Sequence, residues 1–205
     1  MLDPIKNDLI FYYKNVIQDY KNIVDLIEET DSECDENSLI SKWKDWKTSS
    51  EVPYIFGKQK IISNSFMKGG KVYSLTESLK EKNDKLENIY ITLKDTIESA
   101  SQHYAKENDI YIGTLSPLSI GKYNTGSYMG PHCDTYSEHS NATISVVLYL
   151  NDDYDGGELH FPNQDVKIKP EAGSIIVFPS RPPYMHASLE ITKGIKYISP
   201  GFWYK

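Results

Sequence analysis

The sequence predicts a mainly β chain: an antiparallel sandwich or jelly roll with N-terminal helices packed on the outside of one sheet. Helical periodicity is confined to the N-terminal half of the 205 residues, and strand alternation to the C-terminal half. The C-terminal segments are short and separated by turn-rich stretches, as in antiparallel all-β architectures. A 39% hydrophobic content and this length suit one domain with a sizeable core.

Taken in order, Leu9 to Tyr13 reads as a short strand. Val16 to Glu29 reads as a helix with Val16, Tyr20, Ile23, Val24 and Ile27 on one face. Residues 30–41 read as an acidic loop. Trp43 and Trp46, at i, i+3 spacing, suggest a short helix packed on the core. Residues 48–80 give no clear period, with turn signals at Gly69 and Gly70. Asp84 and Glu87 form a candidate capping pair. A second helix follows to about Lys106, burying Leu86, Ile89, Leu93, Ile97, Ala100 and Tyr104. From Ile110 the pattern changes. Ala142 to Leu150 alternates cleanly, with Ile144, Val146, Leu148 and Leu150 opposite Thr143, Ser145, Val147 and Tyr149. Strands at Val166–Lys169, Ser174–Phe178, Tyr184–Leu189 and Ile195–Trp203 follow. The turns between strands are NDDYDGG, KPEAG, SRPP and TKG. Residues 1–109 are thus expected to be a helical support and 110–205 the β core of a single domain.

The formal net charge of −7 argues against a surface built to grip a phosphate backbone, so no nucleic-acid partner is expected. No apolar run reaches the length of a membrane span. The start, MLDPIKNDLIFYYK, has acidic residues where a signal sequence would be apolar. Cys34 and Cys133 cannot make a disulfide framework. These features lead to the expectation of a soluble, cytoplasmic protein with no membrane partner.

The sharpest motif is PHCD at 131–134. On an extended segment His132 and Asp134 share a face and can converge on one ion. A third ligand must come from elsewhere, and His186, after the Pro-bearing SRPP turn, is the best candidate. Two imidazoles and one carboxylate form a facial triad suited to Fe(II), with open positions for other ligands.

The surroundings of this motif resemble the prolyl 4-hydroxylase branch of the Fe(II)- and 2-oxoglutarate-dependent dioxygenases, over roughly residues 118–205. The matching stretches are YNTGSYMGPHCD at 123–134, TISVVLYLND at 143–152, GGELHFP at 156–162, KPEAGSIIVFPS at 169–180, His186, and Lys196 in KGIKYISPGFW. The resemblance implies a double-stranded β-helix (a cupin-like jelly roll) buttressed by the helices. It implies that His132, Asp134 and His186 bind Fe(II), and that Lys196 pairs with the distal carboxylate of 2-oxoglutarate. A cation is physically needed there, because an unpaired buried carboxylate is costly. Tyr123 and Tyr149 both match positions that hydrogen-bond the cosubstrate. O2 is the second cosubstrate, and ascorbate is expected to be supportive.

The implied activity is a dioxygenase reaction that hydroxylates peptidyl proline in a peptide or protein. Two departures bear on substrate: the aromatic expected three residues before His132 is displaced to Tyr128, leaving Met129 there, and Leu159 stands where plant-type relatives carry Thr. Arg181, Trp203 and Tyr128 are the candidate substrate contacts. The same chemistry on another amino-acid side chain or a small metabolite is an alternative, as is a non-catalytic jelly-roll binding module. His103, His139 and His160 read as structural or solvated. Cys133 should point away from the metal, and loops 47–80 and 135–141 are expected to border the site.

Overall fold

A computed structural model of the protein describes residues 2–33, 43–46, 54–56, 59–61, 67–81, 83–135 and 142–205. The two main helices and the C-terminal strands expected are present, and the chain folds as a double-stranded β-helix. In the main sheet, the strands Ile10–Tyr13, Ile175–Pro179, Ala142–Tyr149, Ile195–Tyr204 and Ser119–His132 lie side by side. Ser119–His132 then continues into the second sheet, where His186–Ser188, Leu159–Phe161 and Val166–Ile168 follow. All of these pairings are antiparallel.

One strand therefore serves both sheets. Its first half pairs with the last strand, Tyr123 opposite Lys196. Its second half pairs with the distal-histidine strand, His132 opposite His186. Gly126 lies between the two halves at φ 83°, a backbone conformation that side chains disfavour, with no heavy atom near its would-be Cβ. The glycine is therefore there for conformation and not for space.

Strict alternation divides the buried residues into two cores. Ile144, Val146, Leu148, Ile175 and Val177 pack with the helices in one cluster. Tyr149, Ile176 and Phe178 face the barrel interior, together with Tyr123, Leu159, Phe161 and Ile198. The long helix Asp84–Glu107 contributes Leu86, Leu93, Ile97 and Tyr104, each fully buried, to the first cluster. The helix Tyr20–Glu33 adds Ile23 and Ile27. Side chains of the first helix reach across to the sheet: Lys122 Nζ donates to both Glu28 carboxylate oxygens at 2.8 Å, and the Tyr197 hydroxyl donates to Glu28 at 3.0 Å.

Several N-terminal expectations are corrected. The first helix starts at Tyr20, leaving Val16 outside it, and runs through Thr30 to Glu33. Trp43 and Trp46 flank a short strand, Lys44–Asp45, and not a helix. That strand pairs with Met67–Ser74, which in turn runs along the far edge of Ser119–His132. Gly69 and Gly70 lie inside this strand at a register shift, so the pair marks a bulge and not a chain reversal. The long helix is capped one residue earlier than expected: the Asn83 side chain accepts from the Lys85 and Leu86 amides at 3.0 and 3.3 Å. The N-terminal half is therefore not purely helical. Ile10–Tyr13 joins the main sheet beside Ile175–Pro179, and a preceding strand, Ile5–Asn7, forms a hairpin with it and makes the edge. Among the described residues no helix is long and apolar enough to cross a membrane. Cys34, His139 and most of the 47–66 and 135–141 loops lie outside the described residues.

Candidate metal centre and cosubstrate pocket

His132 ends the strand shared by both sheets, Asp134 follows it, and His186 opens the strand paired with it. The three ligand atoms lie within 4.8 Å of one another. His132 Nε2 is 3.3 Å from Asp134 Oδ1, and His186 Nε2 is 3.5 Å from Asp134 Oδ2. Each histidine places its other nitrogen, Nδ1, against a backbone carbonyl: Gly130 at 2.8 Å and Tyr184 at 3.3 Å. With Nδ1 as the donor, Nε2 is left as the ligand atom on both rings.

Asp134 is fixed from behind. Ser145 Oγ donates to its Oδ2 at 2.5 Å and lies 2.8 Å from Ser180 Oγ. Burial alone would raise the Asp134 carboxyl, but the two imidazoles and the Ser145 hydroxyl hold it below the usual carboxylate range. Burial pushes the His186 imidazole down to about 4, so it is neutral at physiological pH. Phe178 and Phe161 pack against the His186 ring, with centroids 4.6 and 5.8 Å away. Two imidazoles and one carboxylate, converging from one side, fit a divalent iron with open positions.

Beside the triad lies a cavity of about 200 Å³. Lys196 is one of its lining residues, 1% exposed. Its Nζ donates to Gly157 O at 2.8 Å and to Ser188 Oγ at 2.9 Å. The rings of Tyr149 and Tyr123 stand 5.3 and 5.7 Å from it. No carboxylate pairs with it among the described residues. Burial therefore lowers its pKa from the ordinary 10.5 to about 7. Gly157 sits at φ 66°, and a Cβ there would fall 2.3 Å from Ile191 and 3.4 Å from the Lys196 side chain. The positive φ and the crowding against Ile191 and Tyr154 are what require glycine at this turn.

The cavity brings together His132, Asp134, His186, Lys196, Tyr123 and Tyr149. Both tyrosines are almost fully buried, and burial raises both phenols well above their ordinary pKa, so they stay protonated donors. The other candidates lie elsewhere. Trp203 is in the helix-backed core, and its neighbour Phe202 lines the cavity instead. Tyr128 does not line the cavity, but Met129 does. Strict alternation along the last strand puts Phe202 on the Lys196 face, and a register shift accounts for Tyr128. Met129 and His132 pair with Ser188 and His186, three residues against two, so a bulge brings both onto the inner face. Arg181 is exposed on the turn leading to His186. Trp46, read from sequence as packing, lines the cavity, its ring 6.0 Å from that of Tyr123. Ser145 and Ser188 were not anticipated. The alternation that put Ser145 on the Tyr149 face was the signal available for the first.

Residues 118–205 match the 2OG-Fe(II) oxygenase superfamily. A PKHD-type hydroxylase of Prochlorococcus marinus is 35% identical over 82 residues, 38% of this chain and 36% of that protein. The chain spans half or less of the curated relatives it matches. Among solved structures, a Trichoplax adhaerens prolyl hydroxylase in complex with a hypoxia inducible factor peptide fragment superposes with a TM-score of 0.68 at 14% identity, covering 95% of this chain and 83% of that one. A Pseudomonas putida prolyl-4-hydroxylase superposes with a TM-score of 0.60 at 14% identity, covering 96% and 92%. These two establish the fold. The sequence match begins just before the strand that carries His132 and runs to the end of the chain, so the triad, the lysine and both tyrosines fall inside it. Through that stretch the chain is similar to the 2OG-Fe(II) oxygenase superfamily, whose name carries an iron and a cosubstrate of the kinds this pocket could hold.

Proposed function

We propose that the chain is a prolyl 4-hydroxylase-type enzyme that couples turnover of 2-oxoglutarate and O2 to hydroxylation of a proline in a peptide or protein, with ascorbate as a supporting reductant. One observation carries this reading: a three-ligand metal face and a buried lysine with no carboxylate partner share a single cavity. That arrangement suits a small dicarboxylate, one end at the metal and the other at Lys196. Bound iron would supply the oxygen activation.

The chain's own residues do the positioning. Lys196 neutralises the distal carboxylate, while Tyr123 and Tyr149 offer hydroxyls beside it. Ser145 keeps Asp134 aimed at the metal. The remaining lining includes Trp46, Met129, Val147, Pro200 and Phe202, an apolar wall without charge that suits a pyrrolidine ring better than a charged side chain. Arg181, exposed near the distal histidine, is placed to meet polypeptide flanking the reacting residue.

The test is mass spectrometry of a proline peptide library after incubation with Fe(II), 2-oxoglutarate and ascorbate. The expected product gains one oxygen atom, located on proline, and His132→Ala forms none. Oxygen gained on another residue would move the assignment to that side chain. Absence of succinate with every peptide would remove the hydroxylase reading.

A further inference from the structure

The two metal-site imidazoles are oriented by different means. His132 Nδ1 is tied to Gly130, within its own strand. His186 Nδ1 depends on the carbonyl of Tyr184, which lies in the turn before its strand. The direction of that carbonyl is set by what holds residue 184. The Tyr184 amide donates to Arg181 O at 3.0 Å. Its hydroxyl donates to Asp8 Oδ2 at 2.6 Å, a link spanning 176 positions in sequence. Asp8 sits at φ 54° in the turn of the N-terminal hairpin. Asn163 Nδ2 and the Met185 amide hold the adjoining Pro183 carbonyl at 2.7 and 2.9 Å.

We propose that Asp8 is a positioning residue for the metal ligand His186, acting through the Tyr184 hydroxyl and the Tyr184 backbone carbonyl. The inference rests on the reading of His186 as a metal ligand. A phenol donating to a carboxylate makes a charge-assisted bond, stronger than a neutral one. Removing it loosens the Tyr184 end of the turn, leaving the Tyr184 amide bond to Arg181 O, the Leu9 backbone at the same hydroxyl and the burial of the ring as its remaining restraints. The carbonyl can then rotate away from Nδ1, and the imidazole loses both its preferred tautomer and its aim. Acceptors of this kind commonly change metal affinity by about 10–100-fold. Neither Asp8 nor Tyr184 lines the cavity, so the effect does not pass through cosubstrate contact.

The experiment titrates metal-free protein with Mn(II) alone by calorimetry and with Co(II) alone by visible absorption. Asp8→Ala and Tyr184→Phe should each weaken Mn(II) binding by about 10–100-fold and alter the Co(II) spectrum. Asp8→Asn keeps an acceptor oxygen and should stay within a few-fold of wild type. Lys6→Met removes the same hairpin's ion pair with Glu107 and should leave affinity unchanged. Wild-type affinity in Tyr184→Phe, which loses a single oxygen atom, would overturn the proposal. So would an equal loss in Lys6→Met, since hairpin packing would then explain it. If His132→Ala leaves Mn(II) binding intact, the metal-site reading itself fails, and the proposal with it.

Discussion

Lys196→Met should make the metal-free protein more stable while removing cosubstrate binding. In the folded state the ammonium is 1% exposed and holds only a carbonyl and a hydroxyl. The drop from 10.5 to about 7 corresponds to about 5 kcal/mol of unfavourable burial for the charged form. Methionine removes that cost but leaves Gly157 O and Ser188 Oγ without their donor, at about 1 kcal/mol each. The net expectation at pH 6 is a gain of about 2–3 kcal/mol. The sign of the pH dependence follows from proton counts. Between about pH 7 and 10.5 the unfolded lysine holds a proton that the folded one has lost, so wild-type stability rises with pH across that window. The advantage of the variant should therefore shrink above pH 7 and vanish by about pH 9. Urea unfolding of both proteins at pH 6, 7.5 and 9 measures this, and calorimetry with 2-oxoglutarate and Mn(II) measures binding. A variant less stable than wild type at pH 6, or a difference that ignores pH, would refute the reasoning. Either result would mean that the ammonium is already compensated.

Three further outcomes are expected. Ser145→Ala removes the hydroxyl behind Asp134 and should weaken Mn(II) binding by about 10–100-fold with little change in thermal stability, measured by titration and melting. Gly157→Ala must strain a positive-φ turn, whose carbonyl accepts from Lys196, and crowd Ile191 and Tyr154, so 2-oxoglutarate affinity should fall at unchanged Mn(II) affinity, read by paired titrations. Leu93→Ala opens a cavity in the helix-backed core and should cost about 2–5 kcal/mol in urea unfolding, with metal affinity untouched because that core lies across the sheet from the site.

The sequence by itself determined the parts that obey period and spacing. Alternation in 142–150 placed Ser145, Val147 and Tyr149 on one face, and that face lines the site. His132 and Asp134 converge because an extended chain puts residues two apart on one side. Helical period identified Leu86, Ile89, Leu93, Ile97, Ala100 and Tyr104 on the buried stripe of the long helix, to which the structure adds Ser101 and Ala105. The tertiary structure decided whatever depended on a broken period or a distant partner. A bulge before His132 turned Met129 inward in place of Tyr128. Trp46 became a cavity wall only because its short strand pairs with Met67–Ser74 beside the shared strand. The hairpin at Asp8 met the turn before His186 across 176 residues. Local propensity and side-chain alternation are properties of neighbours in sequence. Register shifts, and contacts between segments closed by the whole fold, are set by packing that no short window contains.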